Sequence, residues 1–352
     1  MTLGSDGRRK TFYGKTRKDV SERLKVAMRD QQQGTMVSND RQTVAQYLGR
    51  WLAESVKGSV KARTHVGYES IVRVRIVPRI GRVPLARLTS LDLQGLYTKL
   101  AADGLSGRSI VHTHRVLHRA LQQACRWGML PRNPCDGVTP PQAQRRELGV
   151  LSQAEAAHLL TATIDHPAHA LYVLALSTGM RQGELLGLQW RDIDLEAGRV
   201  SVRRAVQRQK GVGLVFVTPK TARSRRSVKL GQRAVAALRD HRLRQIEARL
   251  RLGPDWRDED LVFANETGGK LDPSHQTAVF KVALSRAGLP AIRFHDLRHS
   301  AATLLLTKGI HPKVVSEMLG HSTVTLTLDV YSHYTPVLHD QAAAAMDDLL
   351  AG

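Results

Sequence analysis

The stretch that most constrains this chain runs from Ile292 to Tyr334 and reads IRFHDLRHSAATLLLTKGIHPKVVSEMLGHSTVTLTLDVYSHY. It holds His295, Arg298, His299, His321 and Tyr331 within 40 residues. His295, Arg298 and His299 stand at i, i+3 and i+4, so a helix puts them on one face. Asp296, Ser300 and Thr303 extend that polar wall, and Leu304 to Leu306 supply a packing side. Gly309 closes the helix, and Pro312 opens a second that stops at Gly320, one residue before His321. A third helix starts near Ser322 or Thr323 and carries Tyr331. Three helix ends can thus gather imidazoles, a guanidinium and a phenol in one cleft.

Each residue type limits what such a cleft can do. Arginine presents a planar fork that matches a phosphate. Histidine moves a proton near neutral pH. A tyrosine hydroxyl attacks only when deprotonated or when its charge is neutralised nearby. The set describes attack on a phosphodiester that leaves a phosphotyrosine intermediate. Singly, each has a plainer reading: a lone Tyr on an amphipathic helix is usually core, and a lone His at a helix end is usually a cap.

Two upstream stretches complete the pattern. LSTGMRQGELLGLQWRDID carries Arg181 just after Gly179, in the first turn of a helix, with Glu184 at i+3 to brace it. VTPKTARSRRSVKL carries Lys220 before a basic strand. With HDLRHS, MLGHS and TLDVYSHY, these segments resemble the boxes of the tyrosine recombinase (phage integrase) family. Six positions, Arg181, Lys220, His295, Arg298, His321 and Tyr331, fall in the family's order over about 150 residues. The resemblance covers residues 151–352 and is looser upstream. It implies a mainly α fold with a small antiparallel β region: an α-helical, SAM-like core-binding domain plus a mixed α/β catalytic domain.

Charge agrees with such a substrate. Lys and Arg number 53 against 31 Asp and Glu, a net of +22, so a polyanionic partner is expected. Aromatic residues are only 5%, which argues against a base-stacking single-strand binder. Residues 41–140 hold 16 basic and 5 acidic residues, whereas the longer 141–352 holds 28 and 21. Cys125 and Cys135 are too few for a disulfide framework or a zinc module, and a reducing cytoplasm fits. No N-terminal segment reads as a signal peptide, and no apolar run is long enough to span a bilayer.

In order, residues 1–38 form a basic lead-in, with a short strand at 11–14 and a helix over 18–33. They resemble only the last strand and helix of an arm-binding module, and a basic helical tail is an equal reading. Residues 39–140 read as four helices: 43–56, 61–78, 91–103 and 107–127. Thr89 and Ser106 are N-caps of the last two. Their Arg63, Arg73, Arg108, Arg115 and Arg119 are candidate phosphate contacts, as are Arg223 and Arg225 near Lys220. Residues 141–150 are a linker that would let two domains close round a duplex. From 151 onward come a capping box at Ser152 and Glu155, a buried helix over 168–177, and strands over 199–206, 214–218 and 227–230. Helices follow over 231–252 and 273–287, with a short strand at 261–264 between them and a C-terminal helix over 337–350.

The resemblance also implies roles. Tyr331 is the nucleophile, in the TLDVYSH setting, and Tyr334 is the alternative beside it. Arg181 and Arg298 hold the non-bridging oxygens, His321 adds a hydrogen bond, Lys220 protonates the leaving 5′ oxygen, and His295 takes the tyrosyl proton. Glu184 and His299 support them, and neither a metal nor another cofactor is implied. The implied partner is double-stranded DNA bearing specific recombination sites, bound by a homotetramer, with room for an accessory directionality factor and no membrane. The setting is a cytoplasmic, nucleoid-associated enzyme of a bacterial host. Rival readings are a type IB topoisomerase, a non-catalytic DNA-binding protein and a zinc enzyme. The last is disfavoured because Arg298 would repel a cation and no Glu stands between His295 and His299.

Overall fold

The computed structural model describes residues 13–14, 16–21, 24–25, 42–142, 149–209, 211–218, 225–321, 323–325, 328, 346–347 and 350. Most of the expected N-terminal and C-terminal helices, the Lys220 segment and Tyr331 therefore lie outside the described residues. Of the expected strand at 11–14, Tyr13 and Gly14 are described and are not in regular structure. The chain divides into two compact units, residues 1–146 and 147–352.

The first unit is helical. α1 (Val44–Trp51) begins at a capping box between Thr43 and Gln46, and the chain continues as a wider π turn over Leu52–Val56. α2 (Ala62–Ile71) leads into a second π turn, Val72–Ile76, and then α3 (Val77–Ile80). The sequence reads one helix ending at Pro78. The π turn instead lets the chain continue, because Pro78 falls in the first turn of α3, where its missing N–H is not needed. α4 (Ser90–Ala102) starts at a Thr89–Asp92 capping box, and α5 (Gly107–Arg126) starts at Ser106. Their apolar faces enclose Tyr47, Trp51, Leu93, Leu96, Ile110 and Leu117, each at most 1% exposed.

In the second unit, α6 (Gln153–Ala162) opens with the expected Ser152–Glu155 capping box. α7 (His169–Thr178) is buried nearly all round, as a central helix must be. α8 (Gln182–Leu186) is short. The β region differs from expectation. The run read as one strand over 199–206 is split into β2 (Arg199–Val202) and β3 (Ala205–Gln209). β2 joins β1 (Ile193–Asp194) and β5 (Arg226–Lys229) in one antiparallel sheet, order β1-β2-β5. β3 pairs with β4 (Gly213–Val217) in a separate hairpin. The chain leaves the first sheet at Arg203 and Arg204, both of which bridge to the buried Asp192. Segment 261–264 forms only isolated bridges, Gln189 with Leu261 and Ala264 with Lys270. α9 (Gln232–Leu252), α10 (Pro273–Arg286), α11 (Asp296–Thr307) and α12 (Pro312–Leu319) complete the unit. Among the described residues no helix is long and apolar enough to cross a membrane.

Candidate active site

The site is assembled on the C-terminal end of α12. The last carbonyls of a helix have no intrahelical donor and carry its partial negative charge. Here they accept from three guanidiniums drawn from three places in the chain. Arg226 Nε donates to Met318 O (2.6 Å), Arg298 Nη1 to Leu319 O (2.8 Å) and Arg181 Nη2 to Gly320 O (3.3 Å). Gly320 ends the helix in the left-handed region at φ +69°, which turns the chain so that His321 follows directly. A Cβ there would also lie 3.0 Å from Arg226 Nη1.

The other anchor is the end of α7. Gly179 takes φ +57°, and its carbonyl accepts a second bond from Arg298 Nη1 at 2.8 Å. A Cβ at Gly179 would meet Leu319 Cδ2 at 2.2 Å, so the buried Leu319 side chain would have to move to admit one. Arg181 stands at the N-cap of α8 in extended backbone, not in its first turn. Its backbone N–H therefore donates to Glu184 Oε2 (3.1 Å), and its Nη1 donates to Glu184 Oε1 (2.7 Å). The expected Arg181–Glu184 brace is present, but Glu184 is shared. Arg226 Nη2 donates to its Oε2 at 2.9 Å.

Two cations thus share one carboxylate, and a third, Arg298, stands on the neighbouring helix-end carbonyls. Burial would raise the pKa of Glu184, but Arg226 and Arg181 outweigh it and hold the group below its usual range. Burial, then Arg181 and Arg226, lower Arg298 to about 9 against the opposing pull of Glu184, so it stays charged at neutral pH. Arg298 is 3% exposed, and its Nη2 has no hydrogen-bond partner among the described residues. The Arg181 side chain is 41% exposed and reaches solvent. A buried guanidinium beside an accessible one is an arrangement that can bind an anion through charge-assisted hydrogen bonds.

The histidines line the same region. His295 is the N-cap of α11, and its ring meets that of His299 edge to face at 5.2 Å. Burial, then His299 and Arg298, bring His295 down to about 4. His321 also falls to about 4, through burial and then Arg298 and Arg181. Burial likewise lowers His299, opposed by Asp296. All three imidazoles are neutral at pH 7 and can each accept or donate one proton. Asp296, the first residue of α11, accepts from the guanidinium and the backbone N–H of Arg293.

Of the residues expected from sequence, Arg181, Glu184, Arg298 and His321 come together, with His295 and His299 on the neighbouring helix. Lys220, Arg223, Tyr331 and Tyr334 lie outside the described residues, and Arg225 is exposed. Arg226 was not expected as a site residue. The signal was strand alternation, since Arg226 shares the inward face of β5 with the buried Val228. In the first unit Arg63, Arg73, Arg108, Arg115 and Arg119 are all exposed. Arg108, His112, Arg115, Arg119 and Arg126 recur at helical spacing on the solvent face of α5, opposite its buried Ile110, Leu117 and Ala124. At 1.5 Å per residue this stripe is about 27 Å long. Arg119 also donates to Tyr68 Oη (3.3 Å).

Comparison with known proteins agrees with this geometry. Residues 150–336 match the phage integrase family, and residues 43–101 match its N-terminal SAM-like domain. A "Tyrosine recombinase XerC-like" protein of Caldanaerobacter subterraneus subsp. tengcongensis is 33% identical, covering 99% of this chain and 95% of its own. The Tn1549 transposon integrase, solved with transposon right end DNA, superposes with a TM-score of 0.75 at 25% identity, over 88% of this chain and 99% of that one. A lambda integrase tetramer bound to a Holliday junction shares the fold with a TM-score of 0.62 at 18% identity, over 92% and 89%. With the family matched over more than half of its length and a relative aligned nearly end to end, the chain belongs to the phage integrase family and is a site-specific recombinase of the tyrosine type.

Proposed function

We propose that this recombinase cleaves and rejoins double-stranded DNA at specific sites to integrate a phage or other mobile element, with Tyr331 as its nucleophile. The observation that carries this is the convergence of three guanidiniums on the end of α12, two of them also paired with Glu184, with Arg298 Nη2 unsatisfied among the described residues. Such a cluster is preorganised for a phosphodiester and for the extra charge of its pentacoordinate transition state. The Tyr331 oxygen bonds to the scissile phosphorus as the bond to the 5′ oxygen breaks. Neutral His295 accepts the tyrosyl proton, and Lys220 gives a proton to the leaving oxygen. Arg181 and Arg298 hold the non-bridging oxygens, and neutral His321 donates a further hydrogen bond. The freed 5′-hydroxyl then attacks the phosphotyrosine of a partner strand. The ester stores the bond energy, so no nucleotide is consumed.

The arginine stripe of α5, with Arg63 and Arg73, supplies backbone contacts in the first unit. Arg223 and Arg225 do so beside Lys220. A homotetramer holds two DNA sites together, the assembly size in which lambda integrase is seen bound to a Holliday junction. Direction is set by an accessory factor, and the enzyme works on the bacterial nucleoid. A nicked suicide substrate tests the chemistry. The wild type should trap a covalent adduct on the peptide containing Tyr331, and Tyr331→Phe should bind the same DNA with no adduct. An adduct that survives in Tyr331→Phe and disappears in Tyr334→Phe would move the nucleophile.

A further inference from the structure

We infer that Arg226 is a positioning residue of the phosphate clamp, acting through Glu184 and the end of α12 to aim Arg181. The inference rests on the clamp reading above. Arg226 is 7% exposed at its side chain, nearly as buried as the carboxylate it holds. Its Nη2 occupies Glu184 Oε2, and its Nε occupies Met318 O. Those two bonds tie β5 to α8 and to α12, the elements that carry Glu184 and the Gly320–His321 turn. The Arg181 side chain uses what remains, Glu184 Oε1 and the carbonyl of Gly320, while its backbone N–H shares Glu184 Oε2.

Removing Arg226 has a directed consequence. Glu184 is 4% exposed, and without Arg226 its Oε2 keeps only the Arg181 backbone N–H, so the buried carboxylate gains by drawing in another charged donor. The nearest donor is Arg181, whose Nη2 makes a long bond, 3.3 Å, to Gly320 O. Arg181 then turns both arms onto Glu184 and away from the phosphate. Lysine is a poor replacement, since a single ammonium lacks the planar fork that spans a carboxylate and a carbonyl.

The test compares an ordinary scissile phosphodiester with a methylphosphonate, in which methyl replaces one non-bridging oxygen and removes the negative charge. Single-turnover cleavage is measured for wild type, Arg181→Ala, Arg226→Gln, Arg226→Lys and Leu238→Ala. Leu238 is a fully buried core residue of α9, and its variant reports destabilisation alone. On the phosphodiester, Arg226→Gln should lose about 10- to 100-fold in rate at unchanged DNA affinity, the range for a residue that orients another. The methylphosphonate diastereomer that restores Arg181→Ala should also restore Arg226→Gln, and neither should restore Leu238→Ala. Arg226→Lys should fall between wild type and Arg226→Gln, and it carries the test if the Gln variant does not fold. Rescue of Arg181→Ala without rescue of the Arg226 variants overturns the inference, as does wild-type cleavage by Arg226→Gln. Absence of rescue for Arg181→Ala itself would overturn the clamp reading instead.

Discussion

Arginine does two different jobs in the two units. On α5 the side chains of Arg108, Arg115 and Arg126 stand in solvent along one helix face. Around α12, Arg226 and Arg298 are nearly inaccessible, and each is bonded to the carbonyl of a helix end. An exposed guanidinium is hydrated, moves freely and attracts phosphate mainly by releasing counterions. A buried one has already lost its water, and fixed carbonyl dipoles hold its orientation before substrate arrives. The first kind suits grip along a duplex, and the second suits stabilising charge at one phosphorus.

The largest break in this contrast should come from Arg298→Ala. It leaves Gly179 O and Leu319 O without their donor, at a cost of about 2–4 kcal/mol in denaturant unfolding. Cleavage should fall by about 10²- to 10³-fold, the scale for losing one preorganised donor. A variant that kept both stability and rate would place Arg298 among the exposed, interchangeable arginines. Next, Gly179→Ala should be worse than Gly104→Ala. Both positions have positive φ, +57° and +81°, and both incur backbone strain of about 1–2 kcal/mol. Only Gly179 adds the 2.2 Å collision with Leu319, whereas a Cβ at Gly104 meets nothing within 4 Å. Equal melting shifts would show that α7 and α12 can separate without cost.

Acid sharpens the contrast further. His295 and His321 have folded pKa values of about 4 against 6.5 unfolded, so the unfolded chain binds more protons between those values. Their contribution is complete above about pH 6.5 and falls as the pH drops toward 4. Unfolding followed across that window should show stability rising with pH, and His295→Gln or His321→Gln should each flatten the slope. The smallest effect belongs to the stripe. Arg108→Gln or Arg115→Gln should lower the salt slope of DNA binding by about 1 and leave single-turnover cleavage at saturating DNA unchanged. A change in that rate would bring the stripe into the chemistry.

Much of the site was legible because its signals are local. The i, i+3, i+4 spacing of His295, Arg298 and His299 needs only a helix, and the Pro312–Gly320 punctuation bounds α12. Glu184 three residues after Arg181 was a readable brace. The capping box at Ser152 and the N-cap at Thr89 marked helix starts for the same reason. The split between β2 and β3 was not readable, because the run over 199–206 has continuous strand character. The break depends on Arg203 and Arg204 finding Asp192. The π turns before Lys57 and Pro78 were equally silent, since an extra residue in a turn leaves no mark on composition.

By itself, the sequence determined the residue types, their order and which of them share a helix turn, since periodicity and capping act over a few residues. Tertiary structure alone decided that Arg181, Arg226 and Arg298 converge on the carbonyls of residues 318 to 320, across separations of 139, 92 and 21 positions. It also decided that Arg226, one of several cations in a basic run, is the one drawn inward. Which faces meet is settled by long-range packing and by the need of buried carbonyls and one buried carboxylate for donors, and no local pattern encodes that.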